Sequence, residues 1–524
     1  MTAIVDLEAG TVFVGGAGAD HALPQMLLLK YANRHGLIAG ATGTGKTVTL
    51  QTLAESFSRA GVPVFMADVK GDLAGMAKSG DPAGKMHDAF QKRAEDIGMV
   101  LDYQDFPVTF WDIWGERGHP VRTTPAEMGP LLLSRLMGLT DAQEGVMNIA
   151  FRVADEQGLA LLDMKDLQAM LVWVGQNAKE LSLKYGNVST ASVGAIQRAL
   201  MVLENEGGNL LFGEPALELA DMMRLDASGK GMVNILSAER LMNSPRLYAT
   251  FLLWLMSDLF EQLPEVGDPD KPRIVFFFDE AHLLFDDAPP ALVAKIEQVA
   301  RLIRSKGVSL WFISQNPADL PESVLGQLGN RVQHALRAFT AKDQKALRLA
   351  AQNYRPNPDF DTAEAIQSVG TGEAVTSLLE VKGVPGIVQR TVIRPPLSQL
   401  GPISDAERAA LVAASPMALK YGQTLDRESA AEILAKRAEA AATGGAVTGN
   451  GSDEDLWKMD REHNRGRRYD PGLQIPADPK PRSARSSGSD SIATTFGKSL
   501  ARQLGTKTGQ ALVRGVLGSL FRGR

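Results

Sequence analysis

Residues 40–47 read Gly40-Ala-Thr-Gly-Thr-Gly-Lys-Thr47, which fits the pattern G-x-x-x-x-G-K-[ST] at every fixed position. An apolar run at 36–39 precedes this stretch and an apolar-periodic run at 48–54 follows it, so the sequence predicts a strand, a loop and a helix. Glycines let the backbone come close to a ligand, and the N-terminus of the helix adds partial positive charge that suits a triphosphate. The predicted nucleotide-binding residues are Gly40, Ala41, Thr42, Gly43, Thr44, Gly45, Lys46 and Thr47.

Two side chains of this loop have specific expected roles. Lys46 is expected to reach the β- and γ-phosphates, and the Thr47 hydroxyl is expected to bind Mg²⁺. The predicted cofactors are therefore ATP and Mg²⁺.

A second apolar run, residues 62–67, follows the predicted helix and ends at Asp68. Strand, helix and strand in this order predict a parallel βαβ unit and an α/β fold. Ligands of such sheets bind beyond the carboxyl ends of the strands. For Asp68, Lys70 and Asp72, an ordinary turn at the end of the strand and a role in the site are equally open.

An apolar strand at 274–278 ends in two acids, Asp279 and Glu280. Beside a phosphate-binding loop, Asp279 is expected to bind Mg²⁺ with Thr47, and Glu280 to accept a proton from the attacking water. The presence of both acids favours hydrolysis of the nucleotide over simple nucleotide sensing.

The next apolar strand, residues 308–314, ends at Gln315. In P-loop ATPases with an additional central strand, a polar residue at this point contacts the γ-phosphate and the attacking water. The alternative is a turn residue before Asn316-Pro317. The sequence thus predicts the additional-strand class, with Gln315 among the catalytic residues.

The transition state of phosphoryl transfer needs positive charge beyond Lys46, and many ring ATPases take it from a neighbouring subunit. The candidate arginines are Arg301, Arg304, Arg331 and Arg337, and each of them has an ordinary surface role as its alternative. We expect Arg304 to act in catalysis, because it precedes Ser305-Lys306-Gly307 and the Gln315 strand.

The composition limits the other possibilities. The 524 residues include 44% hydrophobic residues, carry a net charge of −6 and contain no cysteine. The chain therefore has no disulfide, no cysteine-ligated metal and no cysteine nucleophile, which is compatible with a reducing cytosol. The first residues show no basic segment followed by an apolar stretch, so no signal peptide is expected and a cytoplasmic location is predicted.

The pattern of apolar and polar residues predicts six segments along the chain. They are a short N-terminal β segment (1–30), the phosphate-loop part of the core (31–124), a helical insertion (125–203), the rest of the core (204–400), a helical and disordered linker (401–491) and a basic amphipathic tail (492–524). The tail could contact an anionic membrane surface, DNA phosphates or another subunit.

Three stretches resemble the HerA branch of the HerA/FtsK ATPases, and in particular its bacterial HerA-like, YjgR-type proteins. They are residues 34–47, residues 278–284, and residues 303–308 together with Ser314-Gln315. Residues 330–339 and 212–215 are also similar to that group. The likeness covers about residues 10–400, and it extends neither to an N-terminal β-barrel nor to the region 125–203 and the tail.

The resemblance implies a RecA-like P-loop core, a hexameric ring, and an arginine that acts across the subunit interface. It also implies duplex DNA as the substrate of a translocase or helicase-like motor, and a nuclease partner. The alternative is an ATP-driven assembly or membrane-proximal interaction protein that moves no nucleic acid.

Overall fold

A sheet of thirteen strands, flanked by helices, forms the framework of residues 2–285 and 290–442, the part that this computed structural model describes. The strands are β1 (Val5–Asp6), β2 (Thr11–Ala17), β3 (Leu23–Leu28), β4 (Gly36–Ala39), β5 (Val64–Asp68), β6 (Val108–Asp112), β7 (His119–Pro120), β8 (Val233–Ser237), β9 (Ile274–Phe278), β10 (Val308–Ser314), β11 (Asn330–Gln333), β12 (Glu373–Ser377) and β13 (Gln389–Ile393).

The helices lie mainly between the strands and after the last of them. They are α1 (Leu29–Ala32), α2 (Lys46–Arg59), α3 (His87–Asp96), α4 (Pro125–Leu136), α5 (Asp141–Gln157), α6 (Met164–Gln176), α7 (Ala178–Tyr185), α8 (Thr190–Asn205), α9 (Gly208–Leu211), α10 (Leu219–Met222), α11 (Pro245–Gln262), α12 (Pro290–Leu302), α13 (Glu322–Leu325), α14 (Ala341–Gln352), α15 (Thr362–Ser368), α16 (Asp405–Ala414), α17 (Met417–Tyr421) and α18 (Ala430–Ala442).

The sheet has a parallel half and an antiparallel half. The strand order is β1-β2-β13-β12-β11-β4-β10-β9-β5-β8-β6-β7, and β3 pairs with β2. All neighbours from β11 to β7 are parallel, and those from β11 to β1 are antiparallel. Strand β10 lies between β4, which leads into the phosphate loop, and β9, which leads into the two acids. The prediction of an α/β P-loop fold with an additional central strand is therefore confirmed.

The central strands β4, β10, β9, β5 and β8 are buried throughout and mostly apolar because helices cover both faces of the sheet. Phe276 and Phe278 of β9 join the core on the side of α4–α8, α11 and α12, whereas Val275 and Phe277 join the core around α2. The fit is close at the start of β4, where a Cβ on Gly36 would lie 2.3 Å from the Trp311 ring. Glycine at this position lets β4 and β10 pair beside that ring.

Helices α4–α8 occupy residues 125–205, where the sequence predicts a helical insertion, and α4 packs against α11. Helix α18, in the predicted linker, packs against α6. Asp166 of α6 accepts two hydrogen bonds from the start of α18, one from the Ser429 hydroxyl (2.5 Å) and one from the Ala431 amide (2.9 Å).

Residues 443–524, including the predicted disordered segments and the basic tail, lie outside the described residues. Among the helices of 2–285 and 290–442, none has the length and apolar character needed to span a bilayer.

His35, just before β4, ties the sheet to the start of the additional strand. Its Nε2 donates to the Ala300 carbonyl (2.7 Å), and its Nδ1 accepts from the Leu310 amide (3.0 Å). Nδ1 can accept only in a neutral ring, and burial lowers the pKa of His35 from 6.5 to about 4. In the unfolded chain the ring takes up a proton near its ordinary pKa of 6.5, so the contribution of His35 to stability is lost as the pH falls from 6.5 towards 4.

We expect the substitution His35→Asn to remove this pH dependence. Asparagine tolerates the positive φ of 58° found here, and its side-chain oxygen can accept a hydrogen bond. The difference in the free energy of unfolding between the wild type and His35→Asn should shrink by about 2 kcal/mol from about pH 7 to about pH 5. Urea unfolding at the two pH values measures it, and an equal difference at both would contradict a neutral buried His35.

Candidate nucleotide site

The phosphate loop connects β4 to α2 and has open space on one side and packed side chains on the other. Gly40, Gly43 and Gly45 have φ values of 152°, 77° and 112°. A Cβ on Gly40 would lie 2.5 Å from the Cβ of His334, whereas a Cβ on Gly43 would have no heavy atom within 4 Å. The loop therefore has the shape of a cradle, with the N-terminus of a fourteen-residue helix at its end.

The side chain of Lys46 folds back onto the phosphate loop. Its Nζ donates to the carbonyls of Gly40 (2.6 Å) and Ala41 (3.0 Å). Burial lowers the pKa of Lys46, while the nearby carboxylates of Glu280 and Asp279 act in the opposite direction. Lys46 and the two acids are therefore close enough to belong to one site.

The two acids follow β9 at the same edge of the sheet, and both are buried. Asp279 accepts a hydrogen bond from the Glu280 amide (3.0 Å), and burial raises the pKa of Asp279 to about 6. Glu280 has a φ of 47°, a left-handed conformation that is uncommon for glutamate. Such outliers at a strand end are typical of functional sites.

Gln315 lies at the end of β10, as the sequence predicts, and its amide is near Glu280. Its Nε2 is 3.5 Å from Glu280 Oε2. His282 Nδ1 is also 3.5 Å from the same oxygen. Lys46, Asp279, Glu280 and Gln315 thus meet at the carboxyl edge of the parallel strands.

The structure distinguishes the roles of Asp68 and Lys70, which the sequence left open. Asp68 accepts hydrogen bonds from the amides of Gly71 (2.7 Å), Asp72 (3.2 Å) and Leu73 (3.2 Å), so it forms the turn after β5. The Lys70 ammonium reaches Glu280 Oε1 at 2.7 Å.

His334 follows β11 and packs against the phosphate loop. The sequence predicted no catalytic or binding role for it. Its Nδ1 is 2.8 Å from the Glu373 carbonyl, which can only accept, so Nδ1 carries the proton and Nε2 accepts from the Thr49 hydroxyl (2.8 Å). The Gly372 amide also donates to the Thr44 carbonyl (3.0 Å). The only signal for His334 in the sequence is its place in the family-like stretch 330–339.

The candidate arginines lie in different environments. Arg304 precedes β10, at the edge opposite the phosphate loop, and pairs with Asp268 at 2.9 Å. Arg331 donates to three backbone carbonyls, whereas Arg301 and Arg337 are exposed. Arg304 is therefore not part of the site of its own chain, and its action on a neighbouring copy stays a prediction.

The oxygen ligands available at the loop suit Mg²⁺. Thr47 lies half-buried in the first turn of α2, and Asp279 is a buried carboxylate at the same edge of the sheet. Residues 2–285 and 290–442 contain no cluster of three or more metal-binding His, Asp or Glu side chains. A site of this kind relies on the nucleotide phosphates for its remaining ligands.

The family model for Helicase HerA-like C-terminal proteins matches residues 17–524. The chain belongs to this family. The prediction of a HerA-type chain is thereby confirmed.

A curated relative, described as a "probable helicase" of Methanocaldococcus jannaschii, is 28% identical over 142 residues. That alignment covers 25% of this chain and 26% of the relative, so the chain spans about a quarter of its length. VirB4 of Thermoanaerobacter pseudethanolicus has a TM-score of 0.47 at 18% identity, covering 75% of this chain and 98% of VirB4. The plasmid coupling protein TrwB, solved with ADP and Mg²⁺, has a TM-score of 0.43 at 15% identity, covering 74% and 91%. Family membership rests on the family model alone.

Proposed function

We propose that this chain is a Mg²⁺-dependent ATP hydrolase that works as a hexameric ring and moves duplex DNA. The hydrolase proposal rests on the position of the buried Glu280 carboxylate. Glu280 follows β9, and β10 alone lies between β9 and β4, the strand that leads into the phosphate loop. Family membership supports the motor and the DNA substrate.

Each residue of the site has its own role in ATP hydrolysis. Lys46 places positive charge against the β- and γ-phosphates, and Glu280 accepts a proton from the attacking water. Gln315, at the end of the strand between them, orients that water. When held by Thr47 and Asp279, Mg²⁺ would neutralise charge on the phosphate oxygens. An arginine of the neighbouring copy, for which Arg304 is our candidate, adds the remaining positive charge.

A second candidate function is an ATP-driven assembly or interaction protein that moves no nucleic acid, and the net charge of −6 favours it. Phosphate release, measured with and without duplex DNA at about 50 and about 200 mM salt, separates the two. A translocase should be stimulated by DNA, and the stimulation should weaken at the higher salt concentration because phosphate contacts are salt-dependent. Mass photometry with ATP tests for the ring. DNA-independent turnover by a chain that forms no ring would contradict the motor.

We expect His334→Ala to weaken ATP binding. The substitution removes the imidazole, which lies 3.5 Å from the place that a Cβ on Gly45 would take, and with it the acceptor of the Thr49 hydroxyl, so the loop loses its fixed shape. The dissociation constant for ATP should rise about tenfold, which corresponds to about 1.4 kcal/mol. Titration with a fluorescent ATP analogue measures it. Thr49→Val, which removes the same hydrogen bond but leaves the imidazole in place, is the control and should have a smaller effect.

A further inference from the structure

Lys70 has a fixed backbone position beside the two acids. The turn that carries it is held by the Asp68 carboxylate, which accepts three successive backbone amides. Gly71 completes the turn with a φ of 74°, and a Cβ there would lie 2.1 Å from Glu239 Oε1. The turn therefore has little freedom to move, and Lys70 is its most exposed residue.

The register of the sheet brings Lys70 to Glu280. Strands β5 and β9 are parallel neighbours, with Ala67 opposite Phe278. The residues after these two positions therefore emerge side by side at the carboxyl edge. The Lys70 Nζ lies 2.7 Å from Glu280 Oε1, whereas the contacts of Oε2 with Gln315 and His282 are both 3.5 Å. Lys70 makes the shortest side-chain contact that Glu280 has among the described residues.

Glu280 needs such a partner because its carboxylate is buried and its backbone is in an uncommon conformation. A buried carboxylate without this partner would rotate towards solvent, where water can hydrogen-bond to its oxygens. It would then leave the place from which it can activate water.

We propose, on the basis of the proposed hydrolase function, that Lys70 is a positioning residue for Glu280 and holds one carboxylate oxygen while the other faces the attacking water. Lys70 is not the phosphate ligand of the site. Its ammonium is bound to Glu280, whereas the ammonium of Lys46 lies on the phosphate loop itself. Loss of Lys70 should therefore slow the chemical step and leave ATP binding intact.

The test compares Lys70→Met and Lys70→Arg with Lys78→Met. Lys78 is a matched control, because it pairs with Glu407 at 2.6 Å and its side chain is 43% exposed, against 44% for Lys70. We expect Lys70→Met to lower kcat at least about tenfold, with the dissociation constant for ATP within about threefold of the wild type. Lys70→Arg keeps the charge and should restore most of kcat, and Lys78→Met should match the wild type.

Each outcome decides the proposal. A wild-type kcat in Lys70→Met would overturn the positioning role and leave the hydrolase proposal standing. A loss of ATP affinity as large as the loss of kcat would overturn it in favour of a phosphate ligand. If Lys70→Arg were as slow as Lys70→Met, the ion pair would not be the cause. A wild-type chain without ATP turnover would overturn the proposed function, and this inference with it.

Discussion

Replacing Glu280 with glutamine should abolish steady-state ATP hydrolysis and leave ATP binding intact. Glutamine has the same shape, and its side-chain oxygen can still accept a hydrogen bond from Lys70 in place of Glu280 Oε1. It cannot take a proton from water, so the general-base contribution of about 10²- to 10⁴-fold should be lost. Phosphate release measures turnover, and titration with labelled ATP measures binding.

Glu239→Gln is the matched control for this substitution. Glu239 lies just after β8 and pairs with Arg117 at 2.6 Å, and glutamine has the same shape, so the packing of this side chain against Gly71 is kept. This control should turn over ATP at the wild-type rate. Turnover by Glu280→Gln at that same rate would show that another group activates the water. Loss of binding and turnover together would mean that Glu280 maintains the shape of the site instead.

The phosphate loop and the two acids were predictable because their signals are local. A glycine pattern after an apolar run, and two acids after another, each specify a strand end without knowledge of the rest of the chain. The place of Gln315 followed from the same kind of pattern. The structure brings all three strand ends to one edge of the sheet, and the chemical roles of these side chains stay predictions.

The partners of these residues were not predictable, because they depend on which strands are neighbours. Lys70 contacts Glu280 only because β5 pairs with β9, although the two residues are 210 positions apart in the chain. His334 lies under the phosphate loop only because β11 pairs with β4. A lone histidine or lysine at a strand end carries no sign of these pairings. For the same reason, the antiparallel pairing of β13 with β2 could not be derived from the sequence.

Arg394→Met should destabilise the folded chain strongly, because it breaks a buried ion pair. Arg394 and Glu55 lie 3.0 Å apart, and both side chains are fully buried. Arg394 also donates to the Thr52 carbonyl, to the Ser56 hydroxyl (2.9 Å) and to the Pro395 carbonyl (3.0 Å). Removing one partner leaves the other charge buried and unpaired, which costs about 3–5 kcal/mol.

Urea unfolding without nucleotide measures this loss, and Arg390→Met is its control. Arg390 lies on β13, the strand that Arg394 directly follows, and pairs with Glu373, but its side chain is 48% exposed. Its removal should cost less than about 1 kcal/mol, because solvent screens an exposed pair. Equal losses for the two arginines would contradict a special role for the buried pair.

The double variant Arg394→Met, Glu55→Met separates the energy of the ion pair from the cost of an unpaired charge. With both charges removed, apolar side chains fill the space, so the double variant should be more stable than Arg394→Met. Recovery should be incomplete, because Glu55 also accepts hydrogen bonds from the Ser398 hydroxyl (2.6 Å) and from the Leu397 and Ser398 amides (both 2.9 Å). Glu55 belongs to α2, the helix that begins at Lys46. The pair thus joins the helix of the phosphate loop to the chain after β13, and Arg394→Met should also weaken ATP binding in urea concentrations at which the chain is still folded.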